Sequence, residues 1–206
     1  MKKLCALFVL CSFLLLLSVA ALAWQQWLPT RVVDLADDAT ITVVSPSDGK
    51  LRNTIRLYGI DCPEHGQAFG NRARQVISDA VLGKIVSVQP MAIGGMEFDS
   101  YGRTVGIIYM TGGESYYESI YVPGNESHSG FNWGVRNSRT DPDNLNSMLV
   151  REGMAWVDPK LCTYSWICAE FDELEKTARA EKRGLWADEN PVPPWEWRKN
   201  RKVEAQ

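Results

Sequence analysis

The chain has 206 residues, 45% of them hydrophobic and 23% charged, and its net charge at pH 7 is −3. That length is enough for one domain with a substantial buried core. The acidic balance excludes a protein that binds polyanions through a generally basic surface. Any contact with nucleic acid therefore has to depend on a few placed arginines or on a metal ion.

The first 23 residues have the pattern of a secretory signal peptide. Lys2 and Lys3 precede an apolar run, and Ala21-Leu22-Ala23 forms a small-residue cleavage site before Trp24. We therefore predict a secreted or periplasmic protein. An uncleaved membrane anchor is the alternative, because a span needs ~20 apolar residues. Without this leader the chain keeps 20 of its 22 Lys and Arg against 25 Asp and Glu, a net charge of −5.

The mature chain begins with short segments in which apolar and polar residues alternate, a pattern typical of strands. Five strands are predicted in this way, at residues 30–36, 40–47, 50–60, 84–90 and 103–110. Residues 66–83, between the third and fourth strands, have apolar residues at helical spacing and end in a glycine. Five short strands with a helix after the third indicate an α+β fold, a closed Greek-key barrel of the OB type.

The second half of the chain predicts an insertion, two helices and a tail. Residues 111–144 are rich in Gly, Ser, Asn and Tyr without sustained periodicity, so we predict an inserted loop within a domain at 24–190. Further helices are predicted at 144–152 and 169–183, which makes about three in all. The tail at 191–206 is basic and rich in Pro and Trp, and its tryptophans either pack it onto the domain or stack on bases.

Three cysteines remain after the leader. Cys162 and Cys168 are six apart, and in an export compartment they most simply form a disulfide. A metal-binding pair is the alternative, but no His or further Cys lies near them in the sequence. Cys62 is then the odd thiol, and it lies inside a motif rich in charged residues.

That motif has the residue types needed to hydrolyse a phosphodiester. Arg56, on the third predicted strand, carries a fork of donors suited to phosphate. Asp61 offers hard oxygen ligands for Ca²⁺ or Mg²⁺, and Glu64 is placed to hold and deprotonate a water molecule. Arg103, at the start of the fifth strand, would hold the same phosphate from the other side. Taken separately, each segment also fits an ordinary turn, a helix start or a hairpin.

These motifs, taken in order, resemble the staphylococcal nuclease (thermonuclease) family. The resemblance is carried by three segments: RLYGIDCPE at 56–64, DSYGR at 99–103 and LNSMLVREGMA at 145–155. Their order and spacing hold from about Arg31 to Trp186. The ending LEKTARAEKRGLWADENPVPPWEWRK and the cysteine pair before it are similar to those of exported bacterial members.

The resemblance implies an OB barrel with three helices and Ca²⁺-dependent cleavage of DNA and RNA. The bond between phosphorus and the 5′ oxygen is cut, and 3′-phosphates are left. It also implies that Glu64 is, or positions, the general base. Arg56 and Arg103 would hold the phosphate and stabilise the transition state, and Tyr101 would lie against a terminal phosphate of the nucleotide.

The metal site implied by the resemblance departs from the family pattern. Asp61 and the backbone carbonyl of Cys62 are the implied ligands, although the family usually has threonine at position 62. A further family ligand is the second aspartate of Asp-Gly-Asp-Thr, where this chain has Ala39. Asp38 is the nearest candidate to replace it, but a neighbouring residue on a turn points elsewhere. Losing one carboxylate is expected to weaken Ca²⁺ binding.

Three hypotheses follow. The first is an exported, monomeric, Ca²⁺-dependent endonuclease that acts on DNA and RNA and has no stable protein partner. The second, which depends on Ala39, is a catalytically weak or inactive nucleic-acid-binding module on the same fold. The third is a structural domain of the export compartment whose inserted loop binds a protein.

Overall fold

The structure is a computed structural model that describes residues 29–37, 39–46, 49–50, 52–110 and 144–204. The predicted signal peptide or anchor at 1–23 and Asp38 lie outside the described residues. So does the predicted inserted loop, apart from Asn144 at its end. Within the described ranges, no helix is long and apolar enough to cross a membrane.

The five predicted strands form a closed barrel. The strands of the described residues are β1 Pro29–Asp37, β2 Thr40–Val44, β3 Arg52–Leu57, β4 Ile60–Asp61, β5 Ile85–Pro90, β6 Thr104–Tyr109 and β7 Trp156–Val157. The barrel order is β1-β2-β3-β6-β5, closed by pairing of β1 with β5. All neighbours are antiparallel except β3 and β6, which are parallel. The predicted OB-type α+β barrel is thus confirmed.

Two short strands outside the barrel were not predicted. β4 and β7 pair antiparallel, with Asp61 opposite Trp156. Each has only two residues, which is too short for an alternating pattern to be visible in the sequence. This pairing joins the segment after β3 to the C-terminal half of the chain.

Four helices surround the barrel in the described residues. They are α1 Gly70–Val81, α2 Leu145–Arg151, α3 Ser165–Ala180 and α4 Pro194–Glu204. α1 buries Ala73, Ile77 and Val81 at helical spacing, as predicted. α3 begins four residues before its predicted start, because residues of the segment from Cys162 to Cys168 (the cysteine segment) form its first turn. α4 lies in what was predicted as a tail and is the fourth helix, where about three were expected.

Asn146 connects α2 to the barrel next to the predicted site. Its side chain is fully buried, its Oδ1 accepts from the Ile108 N–H at 3.2 Å, and its Nδ2 donates to the Tyr58 carbonyl at 3.0 Å. A buried amide with both ends satisfied fixes the backbone around it, since leaving such groups unpaired costs about 1–3 kcal/mol each. Asn146 of α2 therefore fixes the turn that follows β3.

The cysteine segment also packs against this turn, at Gly59. The sulfurs of Cys162 and Cys168 lie at bonding distance, 2.15 Å apart, as expected of a disulfide. A Cβ at Gly59 would lie 3.1 Å from the Cys162 sulfur and 3.0 Å from the Phe171 ring, and the residue has φ +72°. Only glycine meets both conditions comfortably, because it has no side chain and tolerates positive φ.

The C-terminal tail is docked onto the domain through tryptophans. The ring of Trp156 lies 4.3 Å from that of Trp186 and 6.0 Å from that of Trp195, both in edge-to-face geometry. The side-chain amide of Gln67 donates to the Val192 carbonyl at 2.6 Å. These contacts favour the packing alternative for the tail, and they place α4 beside the turn that contains Glu64.

Candidate active site

The short strand β4 places Asp61 at the mouth of the barrel. Asp61 is 4% exposed, and its Oδ1 accepts from Nη2 of Arg56 at 2.8 Å. Burial raises the pKa of Asp61, and the neighbouring guanidinium groups of Arg56 and Arg198 only partly offset that rise. Arg56 comes from β3, and its Nη1 also donates to the Ala39 carbonyl at 3.1 Å. The pair is local in sequence and is held by a tight turn.

Glu64 lies on a loop that is tied to the start of α1. Its backbone N–H donates to the side-chain oxygen of Gln67 at 3.0 Å, and its carbonyl accepts from the Gln67 N–H at 2.9 Å. Gly70 packs directly against the Glu64 carbonyl. The Glu64 side chain remains about one-third exposed. The carboxylate is therefore presented to the cleft from a fixed backbone.

The parallel pairing of β3 and β6 brings the second predicted arginine to the same place. Arg103 directly precedes β6, whose first residue Thr104 is paired with Ile55, so Arg103 lies next to the strand that carries Arg56. Nη1 of Arg103 donates to the Thr40 hydroxyl at 3.0 Å. Thr40 is in turn the register partner of Arg56. The two arginines predicted to hold one phosphate thus converge on the same end of the barrel.

Asp99 orients Arg103. Its Oδ2 accepts from Nε of Arg103 at 2.7 Å, while its Oδ1 accepts from the backbone N–H groups of Tyr101 and Arg103 at 2.9 and 3.0 Å. Burial opposes ionisation, but these hydrogen bonds outweigh it and lower the pKa of Asp99. Tyr101 is 83% exposed, and the Arg103 guanidinium lies 5.3 Å from the centroid of its ring. Tyr101 is thus free to meet a ligand, as its predicted role requires.

Asp99→Asn is expected to make the free energy of unfolding depend less on pH at acidic pH. A lowered native pKa contributes stability that is fully present above the unfolded-state pKa of 3.8, and it is lost as pH falls through the lower native value. At pH 7 we expect the variant to lose about 1–2 kcal/mol of unfolding free energy, because a charged hydrogen-bond acceptor is removed. The difference between wild type and variant should shrink below about pH 4. Urea unfolding followed from pH 3 to 7 tests this, and a difference independent of pH would contradict it.

The predicted residues line one cleft of about 640 Å³. It is bounded by Arg56, Asp61, Cys62, Glu64, Tyr101 and Arg103, together with Ala39 and Arg198. Every described side chain predicted for catalysis, substrate contact or the metal therefore faces or borders the same space. Asp38 lies outside the described residues, so its proposed part in a metal site stays a prediction.

Arg198 is the residue that the sequence did not reveal. It lies on α4, its Nη1 donates to Oε1 of Glu64 at 2.5 Å, and its Nη2 donates to Oδ2 of Asp61 at 2.8 Å. It is separated from Glu64 by 134 residues and from Asp61 by 137. The basic character of the tail was visible in the sequence, but no short motif connects position 198 with positions 61 and 64.

Comparison with known proteins identifies the family of the chain. A family model described as staphylococcal nuclease homologue matches residues 54–188. The chain belongs to the staphylococcal nuclease family. The micrococcal nuclease of Shigella flexneri is 34% identical over 187 residues, which cover 89% of this chain and 87% of the relative. An uncharacterized endonuclease of Escherichia coli O157:H7 is 33% identical over 168 residues, covering 82% and 83%.

Family membership makes the protein a nuclease, with nucleic acid as its class of substrate. A probable staphylococcal-like nuclease of rice, CAN2, is a more distant relative at 27% identity over 173 residues. The match covers 82% of this chain and 36% of the rice protein. The match to the family model includes β4, the Glu64 loop and Arg103, but it ends before α4.

The described residues do not fit the divalent metal on which the family depends. No group of three His, Cys, Asp or Glu side chains in these ranges is placed to hold an ion. Ala39 contributes no carboxylate, and its carbonyl accepts from Arg56. Each Asp61 oxygen accepts from a different arginine, and Glu64 is paired with Arg198. A hard cation prefers several anionic oxygens, but both carboxylates are already ion-paired with arginine.

Proposed function

We propose that the chain is an exported endonuclease that hydrolyses DNA and RNA at the bond between phosphorus and the 5′ oxygen and leaves 3′-phosphates. The convergence of Arg56, Asp61, Glu64 and Arg103 on one cleft supports this proposal most directly. These are the residue types required to hold a phosphate and to deprotonate a water molecule.

In this proposal each residue of the cleft has a separate role. Glu64 accepts a proton from a water molecule, whose oxygen bonds to phosphorus while the bond to the 5′ oxygen breaks, and the departing 5′ oxygen takes up a proton from solvent. Arg103, oriented by Asp99, donates to the phosphate oxygens where negative charge grows. Arg56 is almost fully buried and holds the Asp61 carboxylate and the Ala39 carbonyl. It therefore acts mainly by fixing the wall of the cleft until the substrate enters.

The Ca²⁺ dependence that the sequence implies stays a prediction. Ala39 and the neutralised carboxylates favour a second candidate, a module that binds nucleic acid with weak or no turnover. Single-stranded DNA and RNA assayed across a Ca²⁺ titration separate the two. Hydrolysis to 3′-phosphate ends supports the nuclease. Binding without products supports the binding module.

Ala39→Asp is expected to tighten Ca²⁺ binding at least tenfold and to raise activity at low Ca²⁺. The position borders the cleft beside Arg56 and Asp61, so a carboxylate there adds an anionic ligand next to the existing one. Calorimetric Ca²⁺ titration measures the first effect, and initial rates below saturating Ca²⁺ measure the second. Unchanged affinity would mean that residue 39 does not occupy the ligand position, or that another acid already fills it.

Export is tested independently of activity. The predicted signal peptide should be cleaved before Trp24, so N-terminal sequencing of the protein from a periplasmic or culture fraction should begin at that residue. Recovery of the intact leader in the membrane fraction would instead support the uncleaved anchor.

A further inference from the structure

The C-terminal helix α4 supplies a cation to the cleft from a fixed position. The tryptophan contacts and the bond from Gln67 to the Val192 carbonyl anchor the chain just before and at the start of α4. Arg198 projects one turn further along. Because its helix is anchored at this point, the fold itself fixes the position of Arg198 in the site.

The guanidinium of Arg198 bridges the carboxylates of Asp61 and Glu64. One terminal nitrogen binds Glu64 and the other binds Asp61, so it lies between them as a shared counter-ion. Burial alone would lower the pKa of Arg198, but the hydrogen bonds that it donates to both carboxylates outweigh burial and raise that pKa. With Arg56 on the other oxygen of Asp61, two negative groups face two positive ones. The pair Asp61–Glu64 therefore has little net charge left to attract a divalent ion.

Arg198 is also more accessible to a substrate than Arg56. The Arg198 side chain is 45% exposed, whereas that of Arg56 is 8% exposed. An arginine has five N–H donors, and two of those of Arg198 make the bonds to Glu64 and Asp61. The others are available on a side chain that borders the cleft together with Arg103 and Tyr101.

We propose that Arg198 is the resident cation of the Asp61–Glu64 pair: it competes with divalent ions for these carboxylates and offers its outward N–H groups to a substrate phosphate. It is thus a substrate-positioning residue contributed by the C-terminal helix. The second half of this inference rests on the proposed function, because it assumes that nucleic acid enters this cleft. The first half concerns only ion binding.

Arg198→Gln tests both halves, with Arg201→Gln as the matched control. Arg201 lies on the same helix, is exposed, and loses the same charge. Calorimetry without nucleic acid should give at least tenfold tighter Ca²⁺ binding for Arg198→Gln than for wild type, and no change for Arg201→Gln. Fluorescence anisotropy of a labelled single-stranded oligonucleotide in EDTA should give at least fivefold weaker binding for Arg198→Gln alone.

Arg198→Lys keeps the proposal testable if the glutamine variant does not fold. It retains the charge but cannot bridge two carboxylates as a fork does. Its Ca²⁺ affinity should stay near that of wild type, and its affinity for the oligonucleotide should fall between those of wild type and Arg198→Gln. Far-UV circular dichroism and the melting temperature establish folding for each variant.

Two outcomes would overturn the proposal. If Arg198→Gln binds Ca²⁺ no more tightly than wild type although the charge has been removed, Arg198 does not compete with the ion. If Arg198→Gln binds the oligonucleotide as tightly as wild type or more tightly, the side chain is a plug and not a phosphate ligand. Neither readout needs turnover. Failure to detect hydrolysis would therefore count against the proposed function and not against the competition with Ca²⁺.

Discussion

Glu64→Gln is expected to lower kcat on single-stranded DNA by about 10²–10⁴-fold, because the amide cannot accept the proton of the attacking water. The substitution preserves the size of the side chain, and its amide oxygen can still accept from Arg198. KM should therefore change much less than kcat. Initial rates over a range of substrate concentrations, under conditions in which the wild type is active, measure the two separately.

Glu173→Gln is the matched control for that experiment. Glu173 is exposed on α3 and pairs with Lys176, so it tests the same chemical change away from the cleft. Its rate should equal that of wild type. A Glu64→Gln variant that kept more than about a tenth of the wild-type kcat would remove Glu64 from the role of general base.

Gly70→Ala is expected to damage stability and activity together. An added Cβ at position 70 would lie 2.0 Å from the carbonyl oxygen of Glu64 and 2.8 Å from its carbonyl carbon. The backbone must move, and overpacking of this kind costs about 1–3 kcal/mol or somewhat more, which outweighs the usual helical gain of alanine over glycine. Because Glu64 itself is displaced, we also expect roughly a 10²-fold loss of rate.

Asn71→Ala distinguishes this clash from a general effect on the helix. Asn71 is the next residue of α1 and is exposed, so its replacement should leave unfolding free energy within about 0.5 kcal/mol and activity unchanged. Urea unfolding and initial rates measure both variants. A Gly70→Ala protein as stable and as active as wild type would show that the Glu64 loop is not held by the contact at position 70.

The barrel was predictable because its strands carry their own signal. In β2 and β3, apolar residues such as Ile41 and Ile55 are buried, and the alternation around them is visible without any tertiary information. α1 was predictable for the same reason, since Ala73, Ile77 and Val81 recur at helical spacing. In α1 the pattern arises because burial of one face constrains residue type at a local period.

The first part of the site was also local. Arg56, Asp61 and Glu64 lie on β3, on β4 and on the loop after β4, so their closeness follows from the short chain between them. Arg103 required more: only the parallel pairing of β3 with β6 brings it beside Arg56. The sequence motif around Arg103 nevertheless marked the residue, because its likeness to the family extended to the segment at 99–103.

The sequence by itself determined the barrel, the first helix and the family, and it indicated the three residues expected to act on phosphate, Arg56, Glu64 and Arg103. Only the tertiary structure decided that the tail is a helix and that Arg198 stands between Asp61 and Glu64. Contacts across 134 and 137 residues leave no periodicity in a single sequence, since neither position constrains its own neighbours. The charge balance of the site, two carboxylates facing two arginines, is therefore a property of the folded chain alone.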